Sequence, residues 1–169
     1  IDFDDLRLKT DAGARILLLC NPQNPTGRAF TRAELERIAG LAIERDLIVI
    51  SDEVHAELVL PGHRHIPIAT LGREIASRTI TLMSATKTFN IAGLRCAVAI
   101  FGSPELKQRF GSLSSHIRGG LGSFGLGASA VAWTHAQPWL DDLIAYLDGN
   151  RARIAAFVKE HLPGIAHVP

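Results

Sequence analysis

The chain has 169 residues, 47% hydrophobic and 21% charged, with a formal net charge of +1; it is long enough for one sizeable core and has no charge excess to attract a polyanion or a membrane surface. No aromatic-plus-basic patch suggests nucleic acid, no apolar run approaches the ~20 residues of a membrane helix, and Ile1 to Asp5 lacks the features of a signal peptide. Cys20 and Cys96 form neither a disulfide framework nor a metal-type spacing, so they read as small buried thiols in a soluble, cytoplasmic protein with no metal.

Arg15 to Cys20 is a continuous apolar run that ends in turn chemistry, Asn21-Pro22-Gln23-Asn24-Pro25-Thr26-Gly27. That pattern predicts a buried parallel strand and a rigid loop. Thr31 opens a helix with Glu34 as its capping-box partner, and Leu35, Ile38, Ala39, Ala42 and Ile43 supply the apolar stripe. Leu47 to Ile50 is the next buried strand, running into Ser51-Asp52-Glu53. Strand, helix and strand in this order make a βαβ unit with parallel strands.

Val54 to Thr70 reads as loop, with Pro61-Gly62 and a His-rich stretch. Thr79 to Met83 is a third strand leading into Ser84-Ala85-Thr86-Lys87, and Cys96 to Phe101 is a fourth. The connection between them is too short for a helical crossover, so the fourth strand should be antiparallel to the third. Ser103 caps a helix with Pro104 at its first position, running to about His116. Another helix begins near Ser123, and a third runs from about Pro138 to His161, with Gly149-Asn150 as a place to bend. The expected architecture is α/β, a mainly parallel sheet with flanking helices.

Three polar clusters follow strands: Asn21 to Gly27, Asp52 to His55, and Ser84 to Lys87 with Arg95 eight residues on. In open α/β sheets, ligands sit at the carboxyl ends of strands. A buried Lys beside an Arg and an Asp stabilises a fold poorly. It suits the holding of a phosphorylated, imine-forming cofactor.

The order NPQNPTG, SDEVH, SATKTFNIAGLR resembles the fold-type I enzymes that use pyridoxal 5′-phosphate (PLP), the class I/II aminotransferase superfamily. The resemblance implies the large, PLP-binding domain of the aspartate-aminotransferase fold, present in part. It gives Asn24 a hydrogen bond to the ring's phenolate oxygen and Asp52 the pyridine nitrogen. A carboxylate keeps that nitrogen protonated, so the ring can accept a carbanion's electrons. Lys87 matches the catalytic, imine-forming lysine and is expected to be desolvated. Ser84 and Arg95 match phosphate ligands, Arg by its forked donors. His55 stands where many members have Tyr and is expected to donate to the phenolate oxygen.

CNPQNPTGRAFTRAEL, SDEVHAELVLPGHRHIPIATL and PWLDDLIAYLDGNRARIAAF are similar to the MalY/PatB cystathionine β-lyase branch of that superfamily. This implies a carbon–sulfur β-lyase acting on a small amino-acid substrate, giving pyruvate, ammonia and a thiol. SATKTFNIAGLR would serve an aminotransferase equally, and a non-catalytic, regulatory member is a third reading. The resemblance also implies a homodimer, with residues 1–137 in the large domain and 138–169 forming a connecting helix and the start of a smaller one. Further chain is expected before Ile1 and after Pro169, so residues 1–169 alone should aggregate or hold PLP weakly.

Two motifs read as decoys. Gly120-Leu121-Gly122-Ser123-Phe124-Gly125 fits a dinucleotide fingerprint, but no apolar strand precedes it, and a flexible, small-residue start to a helix beside the site is the better reading. His63-Arg64-His65 could pair two imidazoles on a metal, but a solvated loop is favoured. Trp133 and Trp139 read as packing residues.

Overall fold

A computed structural model describes residues 1–168. It contains one four-stranded sheet in the order β1 (Ile16–Cys20), β2 (Ile48–Asp52), β3 (Thr79–Met83), β4 (Val98–Phe101). β1, β2 and β3 are parallel, and β4 runs antiparallel to β3 with Met83 opposite Val98. The helices are α1 (Phe3–Asp11), α2 (Arg32–Glu44), α3 (Arg73–Ser77), α4 (Ala85–Thr88), α5 (Pro104–Gly111), α6 (Ser115–Arg118), α7 (Ser123–His135) and α8 (Gln137–His161). Short 3₁₀ turns lie at Ile68–Leu71 and Ala92–Leu94.

The core forms on one face of the sheet. Side chains alternate along a strand, so Leu19 and Val49 point to the same side across the β1–β2 ladder. There they meet Leu35, Ile38, Ala39 and Ala42 of α2, with Leu47, Ile68 and Ile75 closing the cluster. Leu35, Val49 and Ile68 are fully buried, each contributing about 1.5–3 kcal/mol.

The opposite face departs from the expectation that β1 is buried throughout. Ile16 and Leu18, the alternate residues of β1, are 55% and 70% exposed. α2, α3 and the Ile68–Leu71 turn supply the core on one side, and no described helix covers these two residues.

Four further differences are local. α1 was not expected. Its helix is capped by Asp2, whose carboxylate accepts from the Asp4 and Asp5 N–H groups, and it is held to α2 by Arg37 lying 3.6 Å over the Phe3 ring. The span Val54–Thr70 is loop except at its end, where Ile68 begins the 3₁₀ turn that leads into α3. α5 stops at Gly111 because Ser112 turns its hydroxyl back onto the Arg109 carbonyl (2.7 Å), a local bond that competes with helix continuation. α8 runs unbroken through Gly149-Asn150.

The capping box at α2 is present in both directions: the Thr31 hydroxyl accepts from Glu34 N, and Glu34 accepts from Thr31 N at 2.8 Å. Arg28 adds an ion pair to Glu34 at 2.7 Å. Chiefly through the Thr31 N–H, then the Thr31 hydroxyl and Arg28, the Glu34 carboxyl is lowered to about 2. A carboxyl so depressed stabilises the fold fully above its ordinary value near 4.5, and that contribution is lost as pH falls through about 2. Replacing Glu34→Ala should therefore cost about 1 kcal/mol at neutral pH. Denaturant melts at several pH values should show the gap to the unaltered protein closing between pH 4.5 and about 2.

Candidate active site

Three parallel strands deliver their carboxyl ends to one edge of the sheet, and β4, being antiparallel, begins at that same edge. The loops after β1 and β2, and the whole β3–β4 connection, are thereby gathered there. Asn24, Asp52, His55, Ser84, Lys87 and Arg95 all lie on this edge or on the loops that leave it.

Asn24 sits in a loop closed on itself by Gln23, whose side-chain oxygen accepts from Thr26 N at 3.0 Å and whose amide donates to the Asn24 carbonyl at 2.8 Å. That leaves the Asn24 side chain exposed, with no partner among the described residues. Asp52, the last residue of β2, is half-buried between Cys20 of β1 and Leu82 of β3. Its carboxylate accepts only from Val54 N, at 3.3 Å, and no cation pairs with it among the described residues. His55 is half-buried, and its ring likewise makes no hydrogen bond among the described residues.

Lys87 differs from the expectation of desolvation. It stands in α4 and is exposed, because no described element lies across it. Arg95 is exposed too and has the left-handed conformation φ 50°, ψ 59°, uncommon for a branched-head side chain. Neither cation has an acidic partner among the described residues.

Ser84 has protein partners of its own. It is buried, caps α4 by accepting from Thr86 N (3.1 Å), and donates its single proton to the Cys96 carbonyl at 2.6 Å. Its oxygen also lies 2.7 Å from the Thr86 hydroxyl. Ser84 thereby ties the start of α4, which bears Lys87, to the residue following Arg95.

Behind this edge lies a buried polar network not foreseen from the sequence. Asn21, 1% exposed, accepts from Phe30 N at 2.9 Å and donates to the Ile66 carbonyl at 3.4 Å, while its backbone N–H reaches the Asp52 carbonyl at 3.0 Å. Glu53, 2% exposed, accepts from the Ser51 hydroxyl at 2.9 Å and contacts His65 Nε2 at 2.8 Å. In the His63-Arg64-His65 stretch His63 and Arg64 are exposed, as expected of a solvated loop, whereas the His65 side chain is 9% exposed and lies against Glu53. The Asp-Glu pair held the signal: adjacent strand-end residues face opposite sides, so one acid must turn inward and find donors there.

The glycine run near residue 120 has a packing role. At Gly125 of α7 an added Cβ would lie 2.4 Å from the Leu94 carbonyl oxygen. The bare backbone lets α7 lie against the segment that presents Arg95, in keeping with a small-residue helix start beside the site. Trp133 and Trp139 are partly exposed packing residues: Trp133 donates to Glu57 at 3.3 Å, and Trp139 meets Phe89 with ring centres 5.8 Å apart. Two surface concavities, one between α1 and α2 (about 370 Å³) and one beside β1 (about 290 Å³), are lined by other residues than Asp52, Lys87 and Arg95.

The family described as "Aminotransferase class I and II" matches residues 1–169. Cystathionine beta-lyase PatB of Bacillus subtilis (strain 168) is 38% identical over 167 residues, covering 98% of this chain and 43% of that protein. The structure of cystalysin from Treponema denticola, which contains a pyridoxal 5′-phosphate cofactor, superposes with a TM-score of 0.92 at 32% identity, over 96% of this chain and 42% of that one. N-succinyldiaminopimelate aminotransferase from Mycobacterium tuberculosis gives 0.84 at 34% identity, over 95% and 41%. The chain spans about two fifths of the length of these relatives.

Gly125→Ala should force α7 or the Leu94–Cys96 segment to shift, at a cost of about 1–3 kcal/mol. Thermal melts of the full-length protein check the stability, and a normal melting temperature would show that the close approach is not needed.

Proposed function

This chain belongs to the class I and II aminotransferase family, and on that premise we propose that it is the cofactor-binding part of a PLP-dependent carbon–sulfur β-lyase. The observation that carries the cofactor reading is the charge arrangement at the open sheet edge. Among the described residues Asp52 is a half-buried carboxylate without a cation, while Lys87 and Arg95 are cations without a carboxylate. A group bearing a ring N–H at one end, a phosphate at the other and a reactive aldehyde between satisfies all three. The donor set therefore fits PLP.

Asp52 holds the ring nitrogen in its protonated form. Asn24 and His55 offer donors to the ring's oxygen, and Arg95 meets the phosphate with its fork of N–H groups. Ser84 contributes indirectly, by fixing the chain next to Arg95 and the turn that carries Lys87. Bound there, the cofactor supplies an electron sink for the pair left behind when the substrate's α-hydrogen departs as a proton. Lys87 would hold the cofactor covalently and, when freed, would be the base that takes that proton. The net reaction would be a cysteine thioether plus water giving a thiol, pyruvate and ammonia.

The lyase assignment draws on the similarity to cystathionine beta-lyase PatB and to cystalysin. Transamination is the second reading, favoured by the likeness to N-succinyldiaminopimelate aminotransferase; there Lys87 would return the proton to the cofactor rather than allow the β-bond to break. We place residues 1–137 in the larger domain of a cytoplasmic homodimer and residues 138–169, of which Pro169 lies outside the described residues, at the passage to a smaller one. Among the described residues no helix is long and apolar enough to cross a membrane.

Full-length protein loaded with PLP and given cystathionine should release pyruvate and a thiol with no keto acid present. Turnover that appears only when a keto-acid acceptor is added would replace β-elimination with transamination.

A further inference from the structure

We propose that Glu53 and His65 are positioning residues that aim the Asp52 carboxylate from behind the sheet. The inference rests on the reading of Asp52 as the partner of the cofactor's ring nitrogen.

Glu53 follows Asp52 directly and turns to the opposite side of the chain, where it is 2% exposed and shares the core face with Ser51, which is fully buried. Each of its carboxylate oxygens has one partner: Oε1 takes the Ser51 hydroxyl at 2.9 Å, and Oε2 contacts His65 Nε2 at 2.8 Å. The His65 side chain is 9% exposed, and its other nitrogen, Nδ1, is buried with no protein partner. The bond to Glu53 is thus the one polar tie of that ring among the described residues. A buried acid–imidazole pair is a weak way to stabilise a core, since apolar side chains of like volume serve as well or better, and its best-attested use is to fix one register.

The register fixed here is that of Asp52. Residues 65 and 66 are held on both sides of it: His65 through Glu53, one residue after Asp52, and the Ile66 carbonyl through the Asn21 amide, whose backbone N–H bonds the Asp52 carbonyl. Asp52 is therefore clamped through its own carbonyl and through its neighbour. The segment between Glu53 and His65 also contains His55, so the same tie closes the loop that presents that ring. Asp52 itself has only the long 3.3 Å bond from Val54 N to orient its side chain, which leaves the backbone clamp to set the direction. A displacement of about 1 Å in a group that must meet a ring N–H can cost about 100-fold in rate.

Two substitutions of similar polarity separate positioning from bulk stability. In His65→Gln the side-chain amide reaches where Nε2 stood and can restore the tie to Glu53. In His65→Asn the amide reaches only the Nδ1 position and cannot. The full-length protein is loaded with PLP carrying ¹⁵N in its ring, and the nitrogen resonance is recorded beside kcat and KM. His65→Asn should move the resonance toward the unprotonated position and lower kcat about 10- to 100-fold with KM nearly unchanged. His65→Gln should restore both. Ser51→Ala, which removes only the hydroxyl on the other Glu53 oxygen, should shift both readouts the same way by less, and it decides the matter if His65→Asn does not fold. An unshifted resonance in the loaded fraction of His65→Asn and Ser51→Ala, while Asp52→Asn shifts it, overturns this inference alone. An unshifted resonance in Asp52→Asn overturns the assignment of Asp52 and this inference with it.

Discussion

Asp52 keeps a carboxylate half-buried at the open end of a parallel sheet, with no cation of the described residues against it. A charge in that position loses part of its hydration and recovers the cost only through a partner of opposite sign or good hydrogen bonds. Several other charges are paired within the chain: Arg28 with Glu34, Arg45 with Asp11, Arg78 with Asp46. Asp52, Lys87 and Arg95 have no ion-pair partner among the described residues, and all three stand on the same edge. Their partner is to be sought outside the polypeptide.

The sheet explains why these residues meet. Three strands must be parallel for Asn24, Asp52 and Lys87 to leave from one edge, and a fourth must turn back for Arg95 to arrive there. The parallel strands need a helix between them, and α2 supplies both the crossover and the core that covers one face. Behind the edge, Asn21, Ser51, Glu53 and His65 spend their polar atoms on one another and on backbone, which leaves Asn24, Asp52 and His55 with theirs toward the open side. The division follows from strand alternation: Asp52 and Glu53 are neighbours in sequence and face opposite environments.

Much of this was legible in the chain. The apolar runs, the Thr31–Glu34 box and the short passage between β3 and β4 specify strands, a helix start and a reversal by local chemistry alone. α1 was not legible, because FDDLRLKTD has no wide apolar stripe; its partners, Arg37, Glu44 and Arg45, lie more than thirty residues away. The identities of the candidate site residues were read from their order, but where each spends its protons was not. The bond of the Ser84 hydroxyl to the Cys96 carbonyl is not written in the local pattern. Lys87 looks desolvated until α4 is found with nothing across it. His65 looks solvated in its Pro-Gly-rich loop until Glu53 is found buried beneath it. For Ser84 and His65 the missing fact was a contact distant in sequence, and for Lys87 the lack of one among the described residues; no local pattern encodes either.

The central claim is that the open edge is a PLP site organised around Lys87 and Asp52, and the attachment point tests it most directly. Full-length protein loaded with PLP is reduced with borohydride, digested, and the modified peptide located by mass spectrometry. The account predicts a pyridoxyl group on Lys87, in the peptide that contains Ser84-Ala85-Thr86. A pyridoxyl group on Lys9, Lys107 or Lys159 instead, or no stable modification of this chain, would contradict it.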